Sequence, residues 1–139
     1  MKLGGRIKIV IDTSAWIEYF RATNSVSDKS VAKVIEEAEI VVPDLIYLEV
    51  MRGFTKPDKA HVVDNLLSQL TSVEICSSAA VRVALMNNSE LRAIGKTVRK
   101  SVDLLVGTWC IENRVYLLHQ DRDYEGMEEH LGLKVWRGD

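Results

Sequence analysis

Short apolar runs alternate along the chain with longer segments in which apolar residues recur every three or four positions. Ile7-Lys8-Ile9-Val10-Ile11 is rich in β-branched residues and stops at Asp12-Thr13-Ser14, the pattern of a buried strand followed by a polar turn or helix start. Comparable runs stand at Ile40-Val41-Val42, Val73-Glu74-Ile75, Val115-Tyr116-Leu117-Leu118 and Leu133-Lys134-Val135-Trp136. Amphipathic segments of helical length lie between them. Pro43 and Asp44 open one that carries Leu45, Leu48 and Met51 and ends near Gly53. Ser27-Asp28 can cap another with Val31, Val34, Ile35 and Ala38, and Pro57-Asp58 can start a third with Val63, Leu66, Leu67 and Leu70. A long segment from Ser78 to about Gly95 and one from Ser101 through Glu112 precede the fourth run, and a short helix with Met127 and Leu131 follows it. The alternation predicts an α/β fold with a mainly parallel, five-stranded sheet covered by helices.

At 139 residues the chain has the length of a single hydrophobic core, and it reads as one domain over residues 1–139. Apolar residues make up 47% and charged residues 27%, with two prolines and no low-complexity tract, so disorder is expected only at the ends. The net charge of −2 argues against a protein that coats duplex DNA through a broad basic surface. Cys76 and Cys110 lie in different segments, lack a CxxC partner and stand among apolar residues. Buried free thiols are therefore expected, rather than a disulfide or a zinc site. The start, Met1 to Arg6, leads into an apolar run too short for a signal peptide or a membrane span, so a cytoplasmic location away from membranes is expected.

Candidate chemistry comes from acids in apolar settings. Ligands of open parallel sheets bind beyond the carboxyl ends of the strands; Asp12 follows the first run, and Asp121 and Asp123 follow the fourth. Glu49 lies four residues after Leu45 on the apolar side of its helix, and Asp103 stands between Val102 and Leu104-Leu105-Val106. A carboxylate there loses water and needs a partner or a metal. If Asp12, Glu49, Asp103 and Asp121 converge, their mutual repulsion calls for a cation. Oxygen-only donors suit Mg²⁺ or Mn²⁺, with Asp12, Asp103, Asp121 and Asp123 as candidate ligands. The matching reaction is phosphodiester hydrolysis, in which metals activate water and neutralise charge while a carboxylate takes up the water's proton. Ser14 supplies a supporting hydroxyl from the same turn as Asp12.

Each acid also has an ordinary explanation. Asp12 could cap the helix starting at Thr13, Asp103 could favour a helix dipole, Asp121 and Asp123 could be turn formers, and Glu49 could pair with Arg52. All of these must hold at once for the site to vanish. Arg92, Lys96, Arg99 and Lys100 concentrate positive charge just before Asp103, either as contacts for RNA phosphates or as a solvated helix face. His61, His119 and His130 are scattered and are assigned no role; His119 is expected to pack or to hydrogen-bond.

Ile11-Asp12-Thr13-Ser14-Ala15-Trp16-Ile17, Pro43 leading to Glu49, Asp103-Leu104-Leu105, and Leu118-His119-Gln120-Asp121-Arg122-Asp123-Tyr124 together resemble the PIN domain. The likeness is greatest to the VapC toxins of toxin-antitoxin pairs, and it runs from Lys8 to Val135-Trp136 through the order and spacing of these segments. The resemblance implies a three-layer α/β/α sandwich, Mg²⁺-dependent endoribonuclease activity, a homodimer and inhibition by a VapB-like antitoxin. Residue by residue, the family's acids fall on Asp12, Glu49, Asp103 and Asp121, with Asp123 as an additional acid and Ser14 as the supporting hydroxyl. In such toxins the antitoxin tail lies in a groove beside the site and can place an arginine against the carboxylates. Trp16, Tyr19 and Phe20 after Asp12, and Tyr47 and Phe54 near Glu49, are the exposed-looking aromatics that would line it here; core packing is the equal alternative for each. Gln120 and Gly107-Thr108-Trp109 depart from the usual family pattern. Competing readings are a PIN-like module that only binds RNA or protein, and an aspartate-based phosphatase or receiver domain. The phosphatase would want an aspartate where Ser14 stands, and the receiver a lysine-proline pair after its last strand.

Overall fold

The computed structural model describes residues 6–22 and 26–138; the side chain of Ser27, expected to cap a helix, lies outside the described residues. Strand β1 (Lys8–Ile11) is followed by helices α1 (Thr13–Arg21) and α2 (Val26–Glu37), then strand β2 (Glu39–Pro43) and helices α3 (Asp44–Arg52) and α4 (Pro57–Ser68). Strand β3 (Thr71–Val73), helices α5 (Ser78–Ala93) and α6 (Ser101–Asn113), strand β4 (Tyr116–Leu118), a 3₁₀ turn (Arg122–Tyr124) and helix α7 (Glu125–His130) complete the order. Pro57 opens α4, where its missing N–H is not needed and its fixed φ suits a helix. Ser77 caps α5 by accepting from the Ala80 N–H at 3.1 Å.

All four strands are parallel, in the spatial order β3-β2-β1-β4. In β1, Ile9, Val10 and Ile11 are all fully buried although successive side chains point to opposite faces, so both faces of the sheet are covered. The helices pack in two groups, α1 with α2 and α3, and α5 with α6 and α7. The strand order accounts for this grouping: the chain winds outward from β1 to β3 and then returns across the sheet to β4, and connections that keep one hand put helices on opposite faces when the direction reverses. The return places the topological switch between β1 and β4, where a crevice opens beyond the strand ends.

Four sequence expectations need correction. The sheet has four strands, not five: in the Leu133–Trp136 run only Val135 bridges to Leu117. β4 is just three residues long, and the ladder there consists of Leu117 N–H to Lys134 O and Trp136 N–H to Leu117 O, at 2.9 and 2.8 Å. The third strand falls at Thr71–Val73, two residues earlier than the apolar run, at the exposed sheet edge where alternation carries little signal. Cys76 is exposed, whereas Cys110 is buried and its thiol is pushed up by desolvation. Finally, Trp16, Phe20 and Phe54 are core: Trp16 stacks on Phe20 at 5.5 Å, and Phe20 meets Phe54 edge-on at 5.9 Å. Helix α1 turns Trp16 and Phe20 inward, so these two line no surface groove.

Candidate active site

The crevice is a cavity of about 440 Å³ walled by Asp12, Glu49, Asp103 and Asp121, which are delivered by four separate elements. Asp12 ends β1; its N–H continues the pairing with β4 by donating to Leu118 O at 2.9 Å. It occupies the N-cap position before α1, and its carboxylate faces the crevice. Asp121 follows β4, and its Oδ1 accepts from the Asp123 N–H at 2.9 Å, so the turn-forming explanation holds for this residue alongside its place in the cavity. Asp103 sits in the first turn of α6, and Glu49 projects from α3.

Burial differs among the four. Asp12 and Asp103 are each 5% exposed. Glu49, expected to be buried, is half-buried, and its Oε1 accepts from Thr13 Oγ1 at 2.5 Å. Tyr124, fully buried, donates its hydroxyl toward Asp12 Oδ1 at 3.0 Å and Asp103 Oδ1 at 3.3 Å. Asp103 Oδ2 is buried and has no hydrogen-bond partner among the described residues. Ser14 Oγ reaches Asp12 Oδ2 only at 3.4 Å.

These surroundings make ionisation unfavourable. Burial first, then the negative charges of Asp12 and Asp121, push Asp103 from 3.8 up to about 7. Burial likewise raises Asp12, against the Tyr124 hydrogen bond, which favours the charged form. Burial and the two aspartates push the Tyr124 phenol well above the ordinary tyrosine value, so it keeps its proton and remains a donor. An orphaned buried oxygen among repelling carboxylates, in a cavity lined by neither histidine nor cysteine among the described residues, fits a hard divalent cation.

Asp123 does not line the cavity. Its carboxylate is paired with Arg99, Nε to Oδ2 at 3.1 Å, and also accepts from the Arg99 N–H. Even so, Asp103, Asp121 and Asp123 each offer an oxygen within 4.8 Å of the others. Of the four basic residues before Asp103, Lys100 lines the cavity, Arg99 is engaged by Asp123, and Lys96 lays its stem against Gly126. Arg92, in the last turn of α5, is outside the lining.

Sequence reasoning missed several contributors. Arg52 and Thr13 line the cavity, and Tyr124 joins its two buried acids. His119 accepts the Asp121 N–H on Nδ1 at 3.0 Å and lies 4.7 Å from the Tyr124 ring; burial lowers its pKa, so it is a neutral prop for the Asp121 loop. A polar aromatic directly after Asp121-Arg122-Asp123 was the available signal for Tyr124.

Residues 9–129 match the PIN domain family model. The chain is 31% identical over 129 residues to the VapC ribonuclease Mb1587 of Mycobacterium bovis and to the ribonuclease VapC11 of Mycobacterium tuberculosis, covering 91% of this chain and 96% of each relative. It belongs to the PIN-domain family and, within it, to the VapC ribonuclease branch. Among solved structures, VapBC2 from Rickettsia felis bound to a promoter DNA fragment superposes with a TM-score of 0.73 at 14% identity, covering 96% of this chain and all of that one. VapBC-1 from nontypeable Haemophilus influenzae superposes with a TM-score of 0.69 at 12% identity, covering 94% and 97%. These likenesses establish the shared α/β fold.

Proposed function

We propose that this chain is a divalent-metal-dependent endoribonuclease, the toxin of a toxin-antitoxin pair, working as a single PIN-like domain with helices on both faces of its sheet. The observation that carries the reading is the convergence of four carboxylates, from four elements, on one crevice that burial and like charge make unfavourable without a cation. Asp12, Asp103 and Asp121, which line the crevice, would hold Mg²⁺ or Mn²⁺, with Asp123, whose oxygen lies within 4.8 Å of those of Asp103 and Asp121, restrained beside them by Arg99. When bound, the metal supplies charge neutralisation for the phosphodiester and lowers the pKa of an attacking water.

The chain's own residues supply the rest. Glu49, held at Oε1 by Thr13 and only half-buried, is placed to take up a proton at Oε2. Arg52 and Lys100, on different walls of the cavity, put positive charge where RNA phosphates flanking the cut would lie. Arg52 makes no ion pair among the described residues, which leaves it available for this role. The VapBC complexes among the structural neighbours support a VapB-like antitoxin as partner, and the family resemblance supports a homodimer. A cytoplasmic site of action belongs to the same reading; no helix among the described residues is long and apolar enough to cross a membrane.

The test is cleavage of total RNA by the purified chain. Activity is expected with Mg²⁺ or Mn²⁺, to vanish in chelator, and to be lost in Asp12→Asn; unaltered cleavage by that variant would remove the proposed site.

A further inference from the structure

We propose that Tyr124 is a positioning residue for the metal site: its hydroxyl commits one oxygen of Asp12 and one of Asp103, leaving the other oxygen of each to a divalent cation. The inference rests on the metal-site reading above. The hydroxyl is 3.0 Å from Asp12 Oδ1 and 3.3 Å from Asp103 Oδ1, and both are oxygens of buried acids. The remaining oxygens have little else to hold them. Asp103 Oδ2 has no partner among the described residues, and Asp12 Oδ2 has a long contact from Ser14 at 3.4 Å, while the Thr13 N–H also favours the charged Asp12 carboxylate. A terminal carboxylate torsion is broad, so without an anchor the plane of each group could swing and carry its free oxygen away from the crevice.

The ring cannot drift. His119 lies against it with centroids 4.7 Å apart, and α6 presents Gly107 to it. A Cβ on Gly107 would stand 2.2 Å from Met127 Sδ, so the close approach of α6 to Met127 favours glycine there, while Tyr124 Cε1, 3.6 Å away, is in ordinary packing contact. Phenylalanine would fill the same space, so packing alone gives no reason for a hydroxyl. Removing a group that orients metal ligands typically weakens metal affinity about 10–100-fold.

The full-length chain, Tyr124→Phe and Asp103→Asn are titrated with Mn²⁺ by calorimetry at one pH, and RNA cleavage is followed across Mn²⁺ concentrations. Tyr124→Phe is expected to bind Mn²⁺ about tenfold more weakly, with a cleavage defect that is large at limiting Mn²⁺ and recovers as the ion saturates. A purely structural role would lower cleavage equally at every concentration. That result, or Mn²⁺ affinity equal to the unaltered chain, overturns the assignment. If the unaltered chain binds no Mn²⁺, or Asp103→Asn binds as it does, the metal-site reading itself fails and takes this assignment with it.

Discussion

Two cavities of similar size lie beyond the carboxyl ends of the strands, and both have carboxylates and a tyrosine-aspartate hydrogen bond, yet their electrostatics are opposite. The crevice at β1 and β4 measures about 440 Å³; the second, at β2 and β3, measures about 470 Å³ and is walled by Val42, Asp44, Tyr47, Leu67, Val73 and Glu74. Beside the second cavity, Asp64 accepts from Tyr47 Oη at 2.6 Å and Ser68 Oγ at 3.1 Å, and the tyrosine bond holds it below the ordinary aspartate value. Asp44 Oδ1 accepts from the N–H groups of Leu45 and Ile75 at 2.9 and 3.3 Å, tying the start of α3 to the segment after β3. Asp44 and Glu74 of the second cavity are exposed, and Asp44 and the neighbouring Asp64 accept hydrogen bonds from the protein. In the first cavity a similar tyrosine contact is outweighed by burial, and Asp12 and Asp103 are both raised. What distinguishes a candidate metal site is therefore loss of water without full compensation, rather than the number of acids.

Breaking the first cavity should have the largest effect. Asp103→Asn should reduce RNA cleavage about a thousandfold, the several kcal/mol of charge stabilisation a bound metal supplies, read from initial rates at saturating Mg²⁺. The same variant should melt higher than the unaltered chain at pH 8 in chelator, because it removes a repelling buried charge. A smaller effect sharpens the contrast through pH. Asp103 titrates at about 7 in the folded chain against 3.8 when unfolded, so the folded state binds this proton more tightly. Its contribution favours folding at low pH and is lost as pH rises from about 3.8 through about 7. The chelated protein should accordingly melt several degrees higher at pH 5.5 than at pH 8, and added Mg²⁺ should shrink that difference; a chelated melting point that rises with pH would contradict it. The smallest effect belongs to the second cavity: Asp64→Asn should leave cleavage and Mn²⁺ affinity within about twofold, since it removes an exposed, internally satisfied acid.

Asp103 and Asp12 were legible in the sequence because each broke an apolar pattern, within Val102 to Val106 and at the end of a β-branched run; Glu49 was legible only through a face of α3 carrying Leu48, which is exposed, whereas Ile46 and Val50 face the core. The strand-helix alternation likewise predicts the parallel sheet. The details that sequence concealed depend on long-range contacts. Periodicity could not show that β4 would be only three residues long and so support just one bridge from Val135. Nor could it show whether the aromatics of α1 turn toward α3 or toward solvent, because that depends on where a helix over 30 residues away docks. Tyr124 and Thr13 act through hydroxyls whose partners lie 112 and 36 residues away, so nothing in their neighbours marks them. Cys76 stands next to buried Ile75 but faces outward, beyond the reach of a composition argument.

The most direct measurement is an anomalous-difference map from crystals of the unaltered chain grown with Mn²⁺. A peak should stand among Asp12, Asp103 and Asp121, within direct ligand distance of Asp103 Oδ2, with none beside Asp44, Asp64 and Glu74. A map with no peak in the first cavity, or with its peak in the second, would contradict the account.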